Sequence, residues 1–164
     1  MIQSERMTKV EYYLNIAETV SKRSTCLRRN YGAVIVNNDQ IISTGYNGSP
    51  RGTENCNELG HCERQKLNIP SGERYELCES IHAEQNAIIS AARKDMIGST
   101  LYLAGFDHET SKPITSLPCK LCRRMIVNAG IEKVVCLIID KETNEKSFTV
   151  FYVQKYTRTF LLLD

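Results

Sequence analysis

The sequence lacks any long hydrophobic run. None of its apolar stretches approaches the ~20 residues that a membrane-spanning helix requires, and its first residues contain no apolar core of a secretory signal peptide. It also lacks low-complexity tracts, internal repeats and linker-like segments. We therefore expect a single domain over residues 1–164, located in the cytoplasm.

The chain also lacks a large excess of positive or negative charge. The 21 Lys and Arg residues nearly balance the 19 Asp and Glu residues, which leaves a net charge of +2. Such a balance gives no electrostatic footprint of a nucleic-acid-binding protein. A hydrophobic content of 41% over 164 residues is sufficient for one well-formed core. We therefore expect a globular domain with neither nucleic-acid nor membrane partners.

Histidine is rare in this chain, with three residues, whereas cysteine is abundant, with seven. An odd number cannot form a fully paired disulfide framework, and a reducing compartment favours metal binding over disulfides. Two of the cysteines, Cys119 and Cys122, have Cys-x-x-Cys spacing directly after Pro118. This pattern predicts a metal site.

His82 and Glu84 supply the second half of the motif. One imidazole nitrogen and the sulfurs of Cys119 and Cys122 suit a tetrahedral Zn²⁺ with its fourth position left for water. A carboxylate beside the nitrogen ligand can move protons to and from that water, whose pKa the ion lowers from ~15.7 to near ~7. The order H-x-E and then P-C-x-x-C is the signature of zinc deaminases that act on nucleobases. The alternative is a closed structural zinc site with Glu84 as a surface carboxylate.

Local patterns predict alternating helices and strands. Thr8 and Glu11 form a capping box, and Asn37-Asn38-Asp39 predicts a hairpin turn. Helices are expected over 8–21, 81–94 and 119–129, and strands over 32–36, 40–46, 100–105, 133–139 and 148–153. The last ten residues fit a helix or a strand equally well. This order predicts a mixed sheet with helices packed on it.

Two long stretches show little apolar periodicity. Residues 47–80 are too many for a structureless loop inside a compact domain, so they need either a function or a staple. Residues 106–117 form a polar loop before Pro118, and His108 within it is expected to be solvated. The zinc ligands are expected at two helix starts, where the helix dipole favours thiolates.

The stretch His82-Ala-Glu-Gln-Asn-Ala-Ile88 resembles the cytidine deaminase superfamily, and specifically the deoxycytidylate (dCMP) deaminases. The same resemblance is carried by Gly32-Ala-Val-Ile-Val36, by Ile42-Ser-Thr-Gly-Tyr-Asn-Gly-Ser-Pro-Arg-Gly52 and by Ile126-Val-Asn-Ala-Gly-Ile131. It covers about residues 8–139. The resemblance implies an α/β, three-layer cytidine-deaminase-like fold, with a central mixed β-sheet of about five strands flanked by helices.

The resemblance also implies an activity and partners. It implies the hydrolysis of dCMP to dUMP with release of ammonia, with catalytic zinc held by His82, Cys119 and Cys122 and protons moved by Glu84. Members of the family are commonly hexamers, and many are activated by dCTP and inhibited by dTTP. A homo-oligomer and these two effectors are therefore expected.

Several residues are candidates for contacts with the substrate. Asn47 offers amide donors and an acceptor to a sugar hydroxyl or a ring edge, and Ala83 adjoins the first zinc ligand. Arg28, Arg29 or Arg51 could pair with the 5′-phosphate, because a guanidinium suits that geometry. For each arginine alone, a solvated surface charge is the competing interpretation.

The substrate and the activity leave alternatives open. The insert 106–113 lengthens the interval between His82 and Cys119 to 37 positions and borders the expected pocket. Related deaminases that act on dCTP, a nucleoside, a modified pyrimidine nucleotide or tRNA adenosine are therefore alternatives. A non-catalytic zinc-binding module is the remaining alternative, and Glu84 argues against it because a scaffold does not need that carboxylate.

Four further cysteines are candidates for a structural zinc site, since some dCMP deaminases carry a second zinc near the equivalents of the first two. They are Cys26, Cys56, Cys62 and Cys78. Such an ion would staple the 47–80 segment and contribute folding energy directly. The alternative is that they are buried reduced thiols, which pack as small hydrophobes. Cys62 is preferred over its neighbour His61, and Cys136 is expected in the core.

Overall fold

A computed structural model describes residues 6–70 and 72–163. The helices within these ranges are α1 (Lys9–Ser21), α2 (Cys56–Leu59), α3 (Glu63–Lys66), α4 (Ala83–Ile89), α5 (Arg93–Met96), α6 (Lys120–Ala129) and α7 (Thr157–Leu161). The strands are β1 (Arg29–Asn37), β2 (Gln40–Tyr46), β3 (Thr100–Asp107), β4 (Lys133–Ile139) and β5 (Lys146–Tyr152). None of these helices is long and apolar enough to cross a membrane.

The strands form one mixed sheet in the order β2-β1-β3-β4-β5. Only β3 and β4 are parallel, and the other three pairs of neighbours are antiparallel. Alternate residues of β1 serve the two faces: Val34 and Val36 pack with α1, whereas Ala33 and Ile35 pack in the cluster that contains residues of α4 and α6. The predicted three-layer fold with a five-stranded mixed sheet is confirmed.

Two short motifs set the local geometry as predicted. The Thr8 amide donates to Glu11 Oε2 at 2.8 Å and the Glu11 amide to Thr8 Oγ1 at 3.3 Å, which starts α1 with a capping box. Asn38 and Asp39 have φ values of 47° and 63°, the left-handed conformation that a tight hairpin turn between β1 and β2 requires. Both residue types tolerate that conformation.

The structure corrects three predicted boundaries. Helix α4 ends at Ile89 and α5 begins at Arg93, so the predicted helix 81–94 is broken; between them only Ala91 packs against the core, and it is partly buried. β3 continues to Asp107, into the expected loop, because its edge pairs with β1 as far as Arg29. The undecided last ten residues contain α7, whose Phe160 is buried against Phe151 of β5.

Gly45 lets α4 lie directly on β2. A Cβ atom at this position would be 2.3 Å from both the Ala83 carbonyl oxygen and the Ala87 nitrogen, which is closer than real contacts allow. Ser43 Oγ donates to the Ala87 carbonyl at 2.7 Å, and Asn86 Nδ2 donates to the Tyr46 carbonyl at 2.8 Å. These contacts fix the start of α4 relative to the sheet.

Candidate active site

The predicted metal ligands meet where two helices begin. His82 is the N-cap of α4, Cys119 is the N-cap of α6, and Cys122 lies in the first turn of α6. The His82 amide donates to Gln85 Oε1 at 3.0 Å, which holds the imidazole-bearing residue at the entry to its helix. His82 thus lies one residue before the helix rather than within its first turn.

The three side chains have the spacing that a zinc ion needs. His82 Nδ1 lies 3.5 Å from Cys119 Sγ and 3.4 Å from Cys122 Sγ. A tetrahedral ion with a Zn–N bond of about 2.0 Å and Zn–S bonds of about 2.3 Å separates nitrogen from sulfur by about 3.5 Å. Within the described ranges this is the one group of three or more His, Cys, Asp or Glu side chains whose ligand atoms lie within 4.8 Å of one another. The donor set fits zinc.

The two thiols are electrostatically unequal before an ion binds. A hydrogen bond from Cys122, assisted by His82, lowers the pKa of Cys119 to about 4. The same bond and burial raise the pKa of Cys122. Both sulfurs must be thiolates in a zinc site, so metal binding displaces the thiol proton that the raised pKa of Cys122 favours.

Glu84 is a buried carboxylate beside the ligands. Its exposure is only 4%, and it lines the same cavity as His82 and Cys119. Burial raises the pKa of Glu84, an effect that the neighbouring His82 opposes. A carboxyl group with a raised pKa that faces a cavity can both accept and return a proton. This is the property that general acid–base catalysis requires.

Asn47 is placed in the cavity wall, where most of its amide is already bound. Its Oδ1 accepts from the Tyr31 amide and from Ser24 Oγ, each at 2.7 Å. Its Nδ2 donates to the Arg29 carbonyl at 2.9 Å. Because Oδ1 uses both lone pairs, a substrate can take only the second N–H of the amide. The first role of Asn47 is therefore to brace the start of β1.

The three candidate phosphate-binding arginines separate in the structure. Arg28 and Arg29 line the cavity, whereas Arg51 lies on an exposed turn outside its lining. Nη1 of Arg28 is buried and, among the described residues, has no hydrogen-bond partner. Such an orphaned donor is costly unless a ligand satisfies it. Ala83 also borders the cavity, although it is fully buried.

The other four candidate ligands also line the cavity, but they do not form a closed group. Cys26, Cys56, Cys62 and Cys78 all border it. Burial raises the pKa of the Cys56 thiol, and the other three sulfurs raise it further, so the four are electrostatic neighbours. No three of them satisfy the 4.8 Å condition met by the first site within 6–70 and 72–163.

Neighbouring features of these thiols also match the sequence analysis. The ring of His61 contacts the Leu59 carbonyl at 3.0 Å and Glu63 at 2.8 Å, whereas Cys62 is buried and borders the cavity. Cys136 is fully buried in the core. His108 is exposed, as expected; its ring also contacts Asn30 Oδ1 at 3.2 Å, and its amide donates to the Arg28 carbonyl.

Six residues of the cavity wall were not predicted from the sequence: Tyr31, Arg64, Tyr75, Ser80, Leu103 and Leu117. Of these, Arg64, Tyr75 and Ser80 lie in the 47–80 segment. Neither Arg64 nor Tyr75 belongs to a motif, and the segment has no periodicity that would predict which side chains turn inward. Their contacts are with residues six to eleven positions away, in a segment with no regular repeat.

The fold and site together define a metalloprotein of the cytidine-deaminase-like fold. Residues 7–138 match the family described as the cytidine and deoxycytidylate deaminase zinc-binding region. The chain belongs to this family. The match includes His82, Glu84, Cys119 and Cys122.

Individual relatives carry the deoxycytidylate deaminase name. The chain is 37% identical over 130 residues to the deoxycytidylate deaminase of Mycobacterium phage D29, covering 76% of this chain and 91% of the relative. It is 36% identical over 124 residues to that of Schizosaccharomyces pombe, but there it spans only 35% of the relative's length. The dCMP deaminase of cyanophage S-TIM5, solved in complex with dCMP and dUMP, shares 31% identity with a TM-score of 0.55; the match covers 79% of this chain and 82% of that one.

Proposed function

We propose that this chain hydrolyses dCMP to dUMP and ammonia. The observation that carries the proposal is the buried Glu84 beside a His-Cys-Cys group with zinc spacing, in a cavity bordered by arginines. The relative from phage D29, which matches over nearly its whole length, is named a deoxycytidylate deaminase. The solved cyanophage enzyme was crystallised with dCMP and dUMP.

His82, Cys119 and Cys122 would hold the zinc ion. When bound, zinc supplies Lewis-acid activation of water, so that hydroxide is available near neutral pH. The site offers three protein ligands rather than four, which is the arrangement of catalytic zinc sites. This argues against the non-catalytic alternative.

Glu84 would carry the protons of the reaction. It would accept one proton from the attacking water and deliver it to the pyrimidine ring nitrogen. It would then take the second proton from the hydroxyl group newly bonded to the ring carbon and deliver it to the amino group, which leaves as ammonia while the carbonyl forms. Burial favours this exchange because it raises the pKa of the carboxyl group toward the working pH. The balance is one water consumed, one ammonia released and one carbonyl formed.

Arg28 and Arg29 would bind the 5′-phosphate, and the free N–H of Asn47 would bind the sugar or the ring edge. The orphaned Nη1 of Arg28 supports the first assignment, since a phosphate oxygen would satisfy it. Ala83, at the start of α4, would contact the pyrimidine ring beside the zinc site. Arg51 is a weaker candidate because it lies outside the cavity lining.

One assay tests the proposed substrate against the alternatives. Purified zinc-loaded protein is incubated with dCMP, dCTP, deoxycytidine and CMP, each with and without added dCTP as an effector, and ammonia release is followed. We expect fast turnover of dCMP alone. If another compound is deaminated instead, that compound is the substrate and the proposal for dCMP fails. If none of the four compounds is deaminated, a non-catalytic zinc-binding module is favoured.

We also propose a second, structural zinc held by Cys26, Cys56, Cys62 and Cys78. The four thiols border one cavity and come from the connection after α1 and from the 47–80 segment. Closing them around an ion would staple that segment, which otherwise has only short helical turns.

Metal analysis tests the second site. We expect two zinc ions per chain in the wild-type protein and one in Cys56→Ser, because a hydroxyl does not replace a thiolate ligand. Cys136→Ser, which changes a core thiol, should keep both ions. One zinc per wild-type chain would rule out the second site.

We further propose that the chain forms a homo-oligomer, a hexamer by resemblance to its family, with dCTP as activator and dTTP as inhibitor. A cytoplasmic location is proposed on the chemistry of its seven unpaired cysteines, which a reducing compartment keeps as thiols. Light scattering of the purified protein, with and without each nucleotide, tests the assembly.

A further inference from the structure

Tyr75 lies on the cavity wall against a candidate zinc ligand. Its ring packs edge to face with the His82 ring, with centroids 5.0 Å apart and an interplanar angle of 78°. It borders the same cavity as Cys119 and Glu84. The residue belongs to a single 3-10 turn, Tyr75–Leu77, in the segment between β2 and α4. An aromatic ring is thus presented to any molecule held above the His82 site.

Arg64 packs on the ring of Tyr75. Its guanidinium lies over the Tyr75 ring, 4.9 Å from the centroid. Its Nη2 donates to the carbonyls of Pro70 and Glu73, at 2.7 Å and 2.6 Å. Arg64 is only 6% exposed, and no carboxylate of the described chain lies within ion-pair distance of it. Burying a charge without a partner of opposite charge is costly. The contacts that offset this cost are the two hydrogen bonds to carbonyls and the stacking on Tyr75, so we infer that holding Tyr75 is the structural role of the guanidinium.

We propose that Tyr75 contacts the pyrimidine ring of the substrate and that Arg64 is the positioning residue that holds Tyr75 in place. The proposal rests on the proposed deaminase function. Arg64 lies over the Tyr75 ring, His82 meets the ring edge to face, and all three residues line the cavity. A planar base held above the zinc ligands would lie beside the Tyr75 ring, and aromatic rings favour offset or edge-to-face contact.

The contact would serve orientation as well as affinity. Tyr75 is fixed relative to His82, so a base that packs against the first ring is also aligned with the metal ligands. Arg64 can do this where lysine cannot, because the face of its planar guanidinium stacks on the ring while Nη2 of the same group donates to two carbonyls. The 47–80 segment would therefore supply a specificity-determining part of the site.

The first experiment separates contact with the base from contact with the phosphate. KM and kcat are measured for dCMP and deoxycytidine, and binding of dUMP is measured by calorimetry. Tyr75→Ala should raise KM for both substrates and the Kd of dUMP by about tenfold, whereas Tyr75→Phe should change each less than about twofold. Arg28→Ala should raise KM for dCMP only. Zinc content is measured for every variant.

The second experiment tests the link between the two residues. Arg64→Met and Arg64→Lys should each raise KM by about fivefold, because both lose the stacked guanidinium. In a Tyr75→Ala background, Arg64→Met should add less than about twofold, since the residue it positions is already gone. Arg74→Gln is the matched control: that arginine is exposed and pairs with Glu76 at 2.9 Å, so KM should stay at the wild-type value.

Unchanged KM and dUMP affinity in Tyr75→Ala would contradict the contact between Tyr75 and the pyrimidine ring. Additive effects of Tyr75→Ala and Arg64→Met on KM would contradict the positioning role of Arg64. If Tyr75→Ala loses zinc, Tyr75→Leu fills the same space without an aromatic ring and decides the question in the same way. If the wild-type enzyme deaminated another cytosine compound instead of dCMP, the proposed substrate would fail. The KM of Tyr75→Ala for that compound, divided by the wild-type KM, would still test whether Tyr75 contacts the base.

Discussion

Replacing Glu84 by glutamine is expected to lower kcat for dCMP by about 10⁴-fold, at the upper end of what a general acid–base group contributes. Glutamine has nearly the same shape as glutamate but can neither accept the proton of water nor return it to the leaving amine. Because one carboxyl group would serve both transfers, both are lost together. The ion, which His82, Cys119 and Cys122 hold, does not depend on this side chain.

Zinc content and product affinity separate a chemical defect from a structural one. Glu84→Gln should keep the wild-type amount of zinc and bind dUMP as the wild type does. Glu79→Gln, which changes an exposed carboxylate five residues earlier, should leave kcat within about twofold of wild type. Substantial turnover in zinc-loaded Glu84→Gln would remove Glu84 from the mechanism.

The His-Cys-Cys group could be predicted from the sequence because its geometry is local. Cys119 and Cys122 are three positions apart at one helix start, so the spacing alone brings both sulfurs to one side. His82 and Glu84 are placed likewise by the start of α4. Only the contact between the starts of α4 and α6 is long-range. Local spacing does not predict that contact, whereas the resemblance to the deaminase family does. The family assignment and the three-layer fold are confirmed.

Which polar side chains of the 47–80 segment are buried could not be predicted from the sequence. Arg64 contacts Tyr75 and the carbonyls of Pro70 and Glu73 in a segment that forms only short helical turns, so no periodic pattern predicts these contacts. An arginine in a polar segment is usually solvated, so nothing local indicates that this one is buried. Asn47 shows a related failure: its residue type predicted free hydrogen-bonding groups, but the backbone of β1 uses most of them.

The break after Ile89 has a different cause. The alanines at 91 and 92 favour a helix, which is why the sequence predicted one through residue 94. Propensity is a weak preference, however, and a helix in a folded domain is held chiefly by a buried face. Within residues 90–95 only Ala91 packs against the core, and it is partly buried, so the helix loses most of its buried face after Ile88. Burial, which a single sequence does not reveal, decided this boundary.

Removing one zinc ligand is the other change expected to have a very large effect. Cys122→Ala should lose the catalytic ion and lower turnover by at least about 10⁴-fold, because the bound ion lowers the pKa of water from about 15.7 to about 7. Cys136→Ala is the matched control, since both thiols are fully buried and both replacements delete one sulfur. It should keep the ion and full activity while lowering the free energy of unfolding by about 1–2 kcal/mol.

The comparison between the two cysteine variants separates ligation from packing. If burial of sulfur were all that mattered at position 122, both variants would lose similar stability and both would retain zinc and activity. Ligation predicts that only Cys122→Ala loses metal, with the metal-to-protein ratio falling by one ion per chain. Substituting cobalt for zinc gives a second measurement, because absorption from thiolate–cobalt bonds should weaken in Cys122→Ala and stay unchanged in Cys136→Ala. A zinc-replete, active Cys122→Ala protein would contradict the ligand set.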